Sequence, residues 1–236
     1  MHKFYSQITL PNEFKPWINP FDPILGTFDP RHSIEHHVPL AELKEHNPEF
    51  CTWIDQLGLE VFTARFLRSQ PRVVYSAHID INPMTGAPPN FYGPDDDFQA
   101  LEFNALEDMA AQDQLAEAKR FVYDNSININ LVFNSHGSVM KWYRLKEGCR
   151  PIFKNSYSNH YYYKYIEEDC EVVYETACDT DCLVNSGVPH DLTNSSNDHS
   201  PRMCYSLMIQ NKERTLTWDQ AVEKLTPWLD VAKARL

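Results

Sequence analysis

Ile127-Asn128-Ile129-Asn130-Leu131-Val132-Phe133 carries the clearest strand pattern in the chain. Side chains two apart on an extended backbone project to one face, so Ile127, Ile129, Leu131 and Phe133 form an apolar row. Asn128, Asn130 and Asn134 lie opposite, facing solvent or a polar pocket. The same period-two pattern of β-branched and aromatic residues recurs at Val61–Phe66, Val73–His78, Val139–Leu145, Glu171–Thr176, Leu183–Ser186 and Met203–Ile209. A mostly β core follows.

Helices are expected around it. Val38 to Leu59 has helical spacing interrupted at Asn47-Pro48, which predicts two short helices with Pro48 near the start of the second. ALEDMAAQDQLAEAKRF is rich in strong helix formers and predicts a helical insertion over about 101–121, above the sheet. At the end, Thr217 and Gln220 form a capping-box pair, and Ala221, Leu225, Trp228 and Leu229 form a stripe that should pack outside the sheet. The proline-rich PNEFKPWINPFDPILGTFDPRH reads as an extended arm. The expected organisation is one α+β domain: arm and helices over 1–60, a β core over 61–209 and a terminal helix over 217–235.

Composition narrows the function classes. A chain of 236 residues, 42% hydrophobic and 13% aromatic, holds enough apolar surface for one sizeable core. With 21 Lys+Arg against 33 Asp+Glu the formal net charge is -12, which opposes binding along duplex nucleic acid. No apolar run approaches the roughly 20 residues a membrane span needs, and MHKFYSQITLPNEFKPW has no signal-peptide core. A cytoplasmic location with reduced thiols is expected. Cys170, Cys178 and Cys182, near His160, offer one paired spacing, too little for a structural zinc knuckle.

The chemistry-bearing residues lie in YSAHIDINP and LVNSGVPHDLTN. His78, Asp80 and His190 are two imidazoles and a carboxylate, the ligand set of a facial triad that holds Fe(II) and leaves sites open. Residues two apart on a strand converge on one side, so His78 and Asp80 can share an ion. His190 is expected to close the strand Leu183–Ser186 through Gly187-Val188-Pro189. If LTNSSNDHSP then reverses the chain, RMCYSLMI runs back beside that strand with Arg202, Cys204 and Ser206 on one face. A buried guanidinium fork suits a bidentate carboxylate.

Taken singly, the same residues are strand-end histidines, an Asx turn at Asp80 and a surface cation beside Asp198. Their order and parity favour one shared cavity. His136 and the pair His36-His37 lack a strand-spaced carboxylate and read as turn or surface residues. Of Trp142 and Tyr143, one must face inward.

H-x-D, then V-P-H, then P-R-x-x-x-S-L resembles the oxygenases that use Fe(II) and 2-oxoglutarate. With INLVF, VMKWYRL and LVNSGVPH, the chain is similar to small hydroxylase-like members from bacteria and phages, over about Val73 to Ile209. The resemblance implies a double-stranded β-helix, that is, a jelly-roll, cupin-like barrel. It makes His78, Asp80 and His190 iron ligands and Arg202 the partner of the distal carboxylate of 2-oxoglutarate, assisted by Ser206 and by Asn128 or Asn130. It implies hydroxylation of a small molecule or peptide with O2, release of succinate, and ascorbate as an accessory reductant. Asn82 to Asp97 and Gly148 to Asp169 are the expected lids. One departure is Cys204, where many members carry serine or threonine. The alternatives are a cupin-like metal enzyme that does not use 2-oxoglutarate, and a non-catalytic jelly-roll binding or structural module.

Overall fold

The computed structural model describes residues 4–10, 34–69, 77–80, 126–133, 135, 137–147, 152–155, 161–165, 167–194, 202–213 and 215–230. The expected insertion over 101–121, the arm over 11–32 and the Asn82 to Asp97 loop lie outside them.

The alternation that begins at Ile127 fixes the central strand. β5 (Ile127–Phe133) lies between β10 (Cys182–Asn185) and β12 (Arg202–Gln210). β3 (Glu60–Ser69) and β2 (Ile34–Val38) continue the sheet on one side and β1 (Tyr5–Gln7) ends it on the other, in the order β1-β10-β5-β12-β3-β2. The second sheet runs β7 (Ile152–Asn155), β8 (Tyr161–Lys164), β4 (His78–Asp80), β11 (His190–Asn194), β6 (Ser138–Leu145), β9 (Cys170–Ala177). Every pairing is antiparallel. From β3 the chain passes to β4 in the second sheet, returns to β5, crosses again to β6, and later alternates β9, β10, β11, β12 between the two.

The six strand segments read from alternation whose residues are described all fall in strands, and Val73–His78 reaches them only at His78, which opens β4. Three expectations are corrected. His190 does not close the strand before it but opens β11 in the other sheet, and β12 runs beside β5 and β3 rather than β10. Both follow from the turn over 186–189, which carries the chain across sheets instead of along one. The Gly148 to Asp169 segment, expected as a lid, contributes β7 and β8 to the second sheet. Among the described residues no ladder joins the two sheets into a closed barrel.

Parity divides the first sheet into two faces. Ile127, Ile129, Leu131, Tyr205, Leu207, Ile209, Ala64 and Phe66 point to one side, into a core shared with the helices. α1 (Leu40–His46) adds Leu43, and α2 (Pro48–Gln56) adds Phe50, Trp53 and Ile54. Pro48 is the first residue of α2, where its missing N–H costs nothing. α2 stops at Gly58, whose φ of 66° suits the left-handed position after a helix. Gly58 N donates to Asp55 O at 2.9 Å and Leu59 N to Ile54 O at 3.2 Å, the double bond of a Schellman end.

α3 (Trp218–Leu225) covers the same face through Ala221, Val222 and Leu225. Its capping box forms as read: Thr217 Oγ1 accepts from Gln220 N at 3.3 Å, and Thr217 N donates to Gln220 Oε1 at 3.0 Å. Among the described residues no helix is long and apolar enough to cross a membrane.

Leu207 is wholly buried in this core. Leu207→Ala is therefore expected to lower unfolding stability by about 2–5 kcal/mol, and Thr217→Ala by about 1 kcal/mol, in urea titrations.

Candidate functional site

The opposite face of the first sheet turns toward the second and is polar. Arg202, Cys204, Ser206 and Met208 of β12 share it, because Cys204, Ser206 and Met208 pair with Val132, Asn130 and Asn128 of β5. Asn130 pairs in turn with Cys182, and Asn128 with Val184. The second sheet answers with Met140, Trp142 and Leu192, which pack with Phe4, Val184, Cys178 and Cys182 between the sheets. Trp142 is the inward residue of its pair: it stacks on Phe4 at 6.2 Å between ring centroids and donates Nε1–H to Asn185 O at 3.2 Å. Tyr143 instead gives its hydroxyl to Asp191 Oδ2 at 2.5 Å, after a register shift in β6.

Two histidines meet in the second sheet. His78 and His190 are direct register partners, since β4 pairs with β11 at that position, and their ring centroids lie 4.5 Å apart. His190 is also opposite Trp142, which places it on the inward side. Its Nδ1 lies 2.8 Å from Val188 O. A carbonyl only accepts, so Nδ1 carries a proton, and in the neutral ring Nε2 is then the nitrogen with the lone pair. That is the tautomer a metal ligand needs, with its orientation held by a backbone oxygen. Asp80 lies two positions along β4 from His78, paired with Tyr162 of β8.

Arg202 is 2% exposed, which removes the surface-cation alternative. Among the described residues no carboxylate forms an ion pair with it. Nη2 contacts Cys178 Sγ at 3.5 Å, and buried Nε has no hydrogen-bond partner. Burial works against the guanidinium charge, while Cys204, Cys178 and Cys182 favour it and leave its pKa raised. Further along the same face, opposite Met208, Asn128 Nδ2 donates to Ser186 Oγ at 3.1 Å, and Ser186 Oγ donates to Ser126 O at 3.0 Å. Asn128 Oδ1 and Asn130 Oδ1 are buried without partners. Three unsatisfied polar atoms on one inward face are costly without a ligand or water to meet them.

The structure thus brings His78 to His190, and sets Arg202, Ser206, Asn128 and Asn130 on the facing sheet. Sequence reasoning puts Cys204 on the face of Arg202 but misses Cys178 and Cys182 beside it. Their signal was the Cys178/Cys182 spacing, which had been weighed only as a zinc motif. No group of three His, Cys, Asp or Glu side chains fit to hold a metal occurs among the described residues, which do not include the Asp80 side chain.

No protein-family model and no curated sequence matches the chain. A solved structure of oxalate oxidase aligns over 88% of this chain and 77% of that one, with 11% identity and a TM-score of 0.28. That likeness is too slight to place the chain in a family.

A buried guanidinium held in a structural ion pair would be expensive to remove, about 3–5 kcal/mol, whereas one without a carboxylate is replaced by an apolar isostere at little cost. Arg202→Met should unfold in urea within about 1 kcal/mol of the native chain or above it. A large loss would mean that Arg202 serves the fold.

Proposed function

We propose that the chain is an Fe(II)- and 2-oxoglutarate-dependent oxygenase, a hydroxylase, and that its alternating crossings between two antiparallel sheets are the winding of a double-stranded β-helix. The main support is the direct pairing of His78 with His190 at 4.5 Å between rings, in a sheet that faces a buried arginine without a carboxylate partner among the described residues. The donor chemistry fits ferrous iron: the neutral His190 ring, with Nδ1–H on Val188 O, would offer Nε2, His78 adjoins it, and strand alternation would bring Asp80 to the same side.

Bound iron would supply the activation of dioxygen, which no side chain can. The protein's own part is position and exclusion of water. Val188 O fixes the His190 ring, and the Phe4, Trp142, Met140 and Leu192 cluster keeps one end of the inter-sheet space dry. Arg202 would take the distal carboxylate of 2-oxoglutarate as a fork, assisted by Ser206 and by Asn128 or Asn130, whose Oδ1 atoms are buried without partners. The products would be succinate, carbon dioxide and an oxidised substrate.

One observation favours a second reading, a cupin-like metal enzyme that does not use 2-oxoglutarate. The Arg202 guanidinium already touches a thiol, and Cys204 stands beside it.

Anaerobic addition of Fe(II) and then 2-oxoglutarate should develop a visible charge-transfer band, lost in His78→Ala and His190→Ala. Arg202→Ala should keep the metal while weakening 2-oxoglutarate by about 10- to 100-fold, as expected for losing a hydrogen bond to a charged group. Undiminished affinity in Arg202→Ala would favour the second reading. Failure of the native chain to bind iron would defeat both.

A further inference from the structure

The thiols beside Arg202 form a built site of their own. Cys178 follows β9 and Cys182 opens β10, so the pair spans the short connection that carries the chain from one sheet to the other. Their sulfurs lie 3.9 Å apart, both wholly buried. The connection is held on both sides. Cys178 N donates to Ser138 O at 2.8 Å, Asp179 Oδ1 accepts from Ser135 Oγ at 2.7 Å and Ser138 N at 3.0 Å, and Asp181 Oδ1 accepts from Val132 N at 2.9 Å. A sulfur–sulfur bond of about 2 Å would need the two sulfurs to close this contact across a connection whose ends are already held.

We infer that Cys178 and Cys182 are a peroxide-sensitive dithiol, and that closing it to a disulfide withdraws the Cys178 sulfur from Arg202 and strengthens that guanidinium's hold on an external carboxylate.

The two sulfurs have different parts. A hydrogen bond from Cys182, together with the charge of Arg202, holds Cys178 below the ordinary thiol range against the effect of burial. The same pairing and burial push Cys182 up, and burial raises Cys204. Cys178, whose sulfur lies 3.5 Å from Arg202 Nη2, is assigned as the nucleophile and Cys182 as the resolving thiol. Full burial favours an oxidant as small as hydrogen peroxide. The Cys178 sulfur attacks one peroxide oxygen, the O–O bond breaks, and a sulfenic acid and one water result. The Cys182 sulfur then attacks Cys178, the S–O bond breaks, its proton leaves with the second water, and the disulfide forms. Two thiols lose two electrons and two protons; peroxide becomes two waters.

The link to carboxylate affinity rests on the proposed co-substrate role of Arg202, whereas the dithiol does not. The full chain is treated with limiting hydrogen peroxide, denatured, alkylated and peptide-mapped. The peptide bearing Cys178 and Cys182 should lose two hydrogen masses and escape alkylation, while Cys51 and Cys170 stay alkylated. Cys182→Ser should leave a Cys178 sulfenic acid that dimedone captures, and Cys204→Ser should leave the bridge intact. Full alkylation of both thiols, or a bridge that needs Cys204, overturns the dithiol.

Calorimetry with 2-oxoglutarate and redox-inert Mn(II) then compares the reduced and bridged chains. Bridging should tighten binding by roughly tenfold, the scale of one hydrogen bond to a charged group. Equal affinity overturns the link alone. Binding in neither form, with the bridge present, overturns the link and the co-substrate reading while the dithiol stands.

Discussion

The register of β5 against β10 and β12 is the constraint on which the rest depends. Ser206, Asn130 and Cys182 lie abreast across three strands, and so do Met208, Asn128 and Val184. A slip of one residue would turn Ile127, Ile129 and Leu131 toward the second sheet and drive the two amides into the helix-covered core. Burying an unpaired amide costs about 1–3 kcal/mol on mutational scales, and the apolar residues would lose their partners at the same time. The register is therefore fixed from both faces. One consequence is that the polarity of the inter-sheet space is not incidental, since it is the necessary complement of a core made from the odd-numbered residues.

Aromatic and polar groups divide that space. Trp142 anchors one portion, with Phe4 stacked on it, Tyr5 edge-on at 5.9 Å and Tyr174 at 5.5 Å. On the facing sheet Arg202 Nε, Asn128 Oδ1 and Asn130 Oδ1 are buried without a hydrogen-bond partner.

Strands with strict alternation were legible in the sequence, and the helix ends were legible through Pro48 and the Thr217/Gln220 box. The short strands were not. β11 (HDLTN) has neither alternation nor β-branched density, and its form is imposed by a five-residue register with β6. The tyrosine run of β8 reads as a lid for the same reason, until pairing with β4 and β7 makes it sheet. Alternation reveals that a segment is a strand but not which strand it joins, so the neighbours of β12 were misassigned. The candidate site was legible where a short spacing carried it, as in H-x-D. The thiol cluster draws on β9, β10 and β12 and has no local pattern.

Arg202 brings these threads together. A buried positive charge needs a negative partner, and a protein that fixed one with Asp or Glu would gain a permanent ion pair that any ligand must first break and resolvate. A thiol is a different counter-charge. Once a carboxylate arrives, a thiolate can take up a proton and become a small neutral group, at far less cost than burying an unpaired carboxylate. Surrounding Arg202 with Cys178, Cys182 and Cys204 keeps the guanidinium tolerable inside the fold, and in the proposed co-substrate role would leave its fork exchangeable. The same softness that makes a thiol a replaceable partner for an arginine also makes it oxidisable, so an exchangeable anion site built from cysteines carries redox sensitivity as a direct physical consequence.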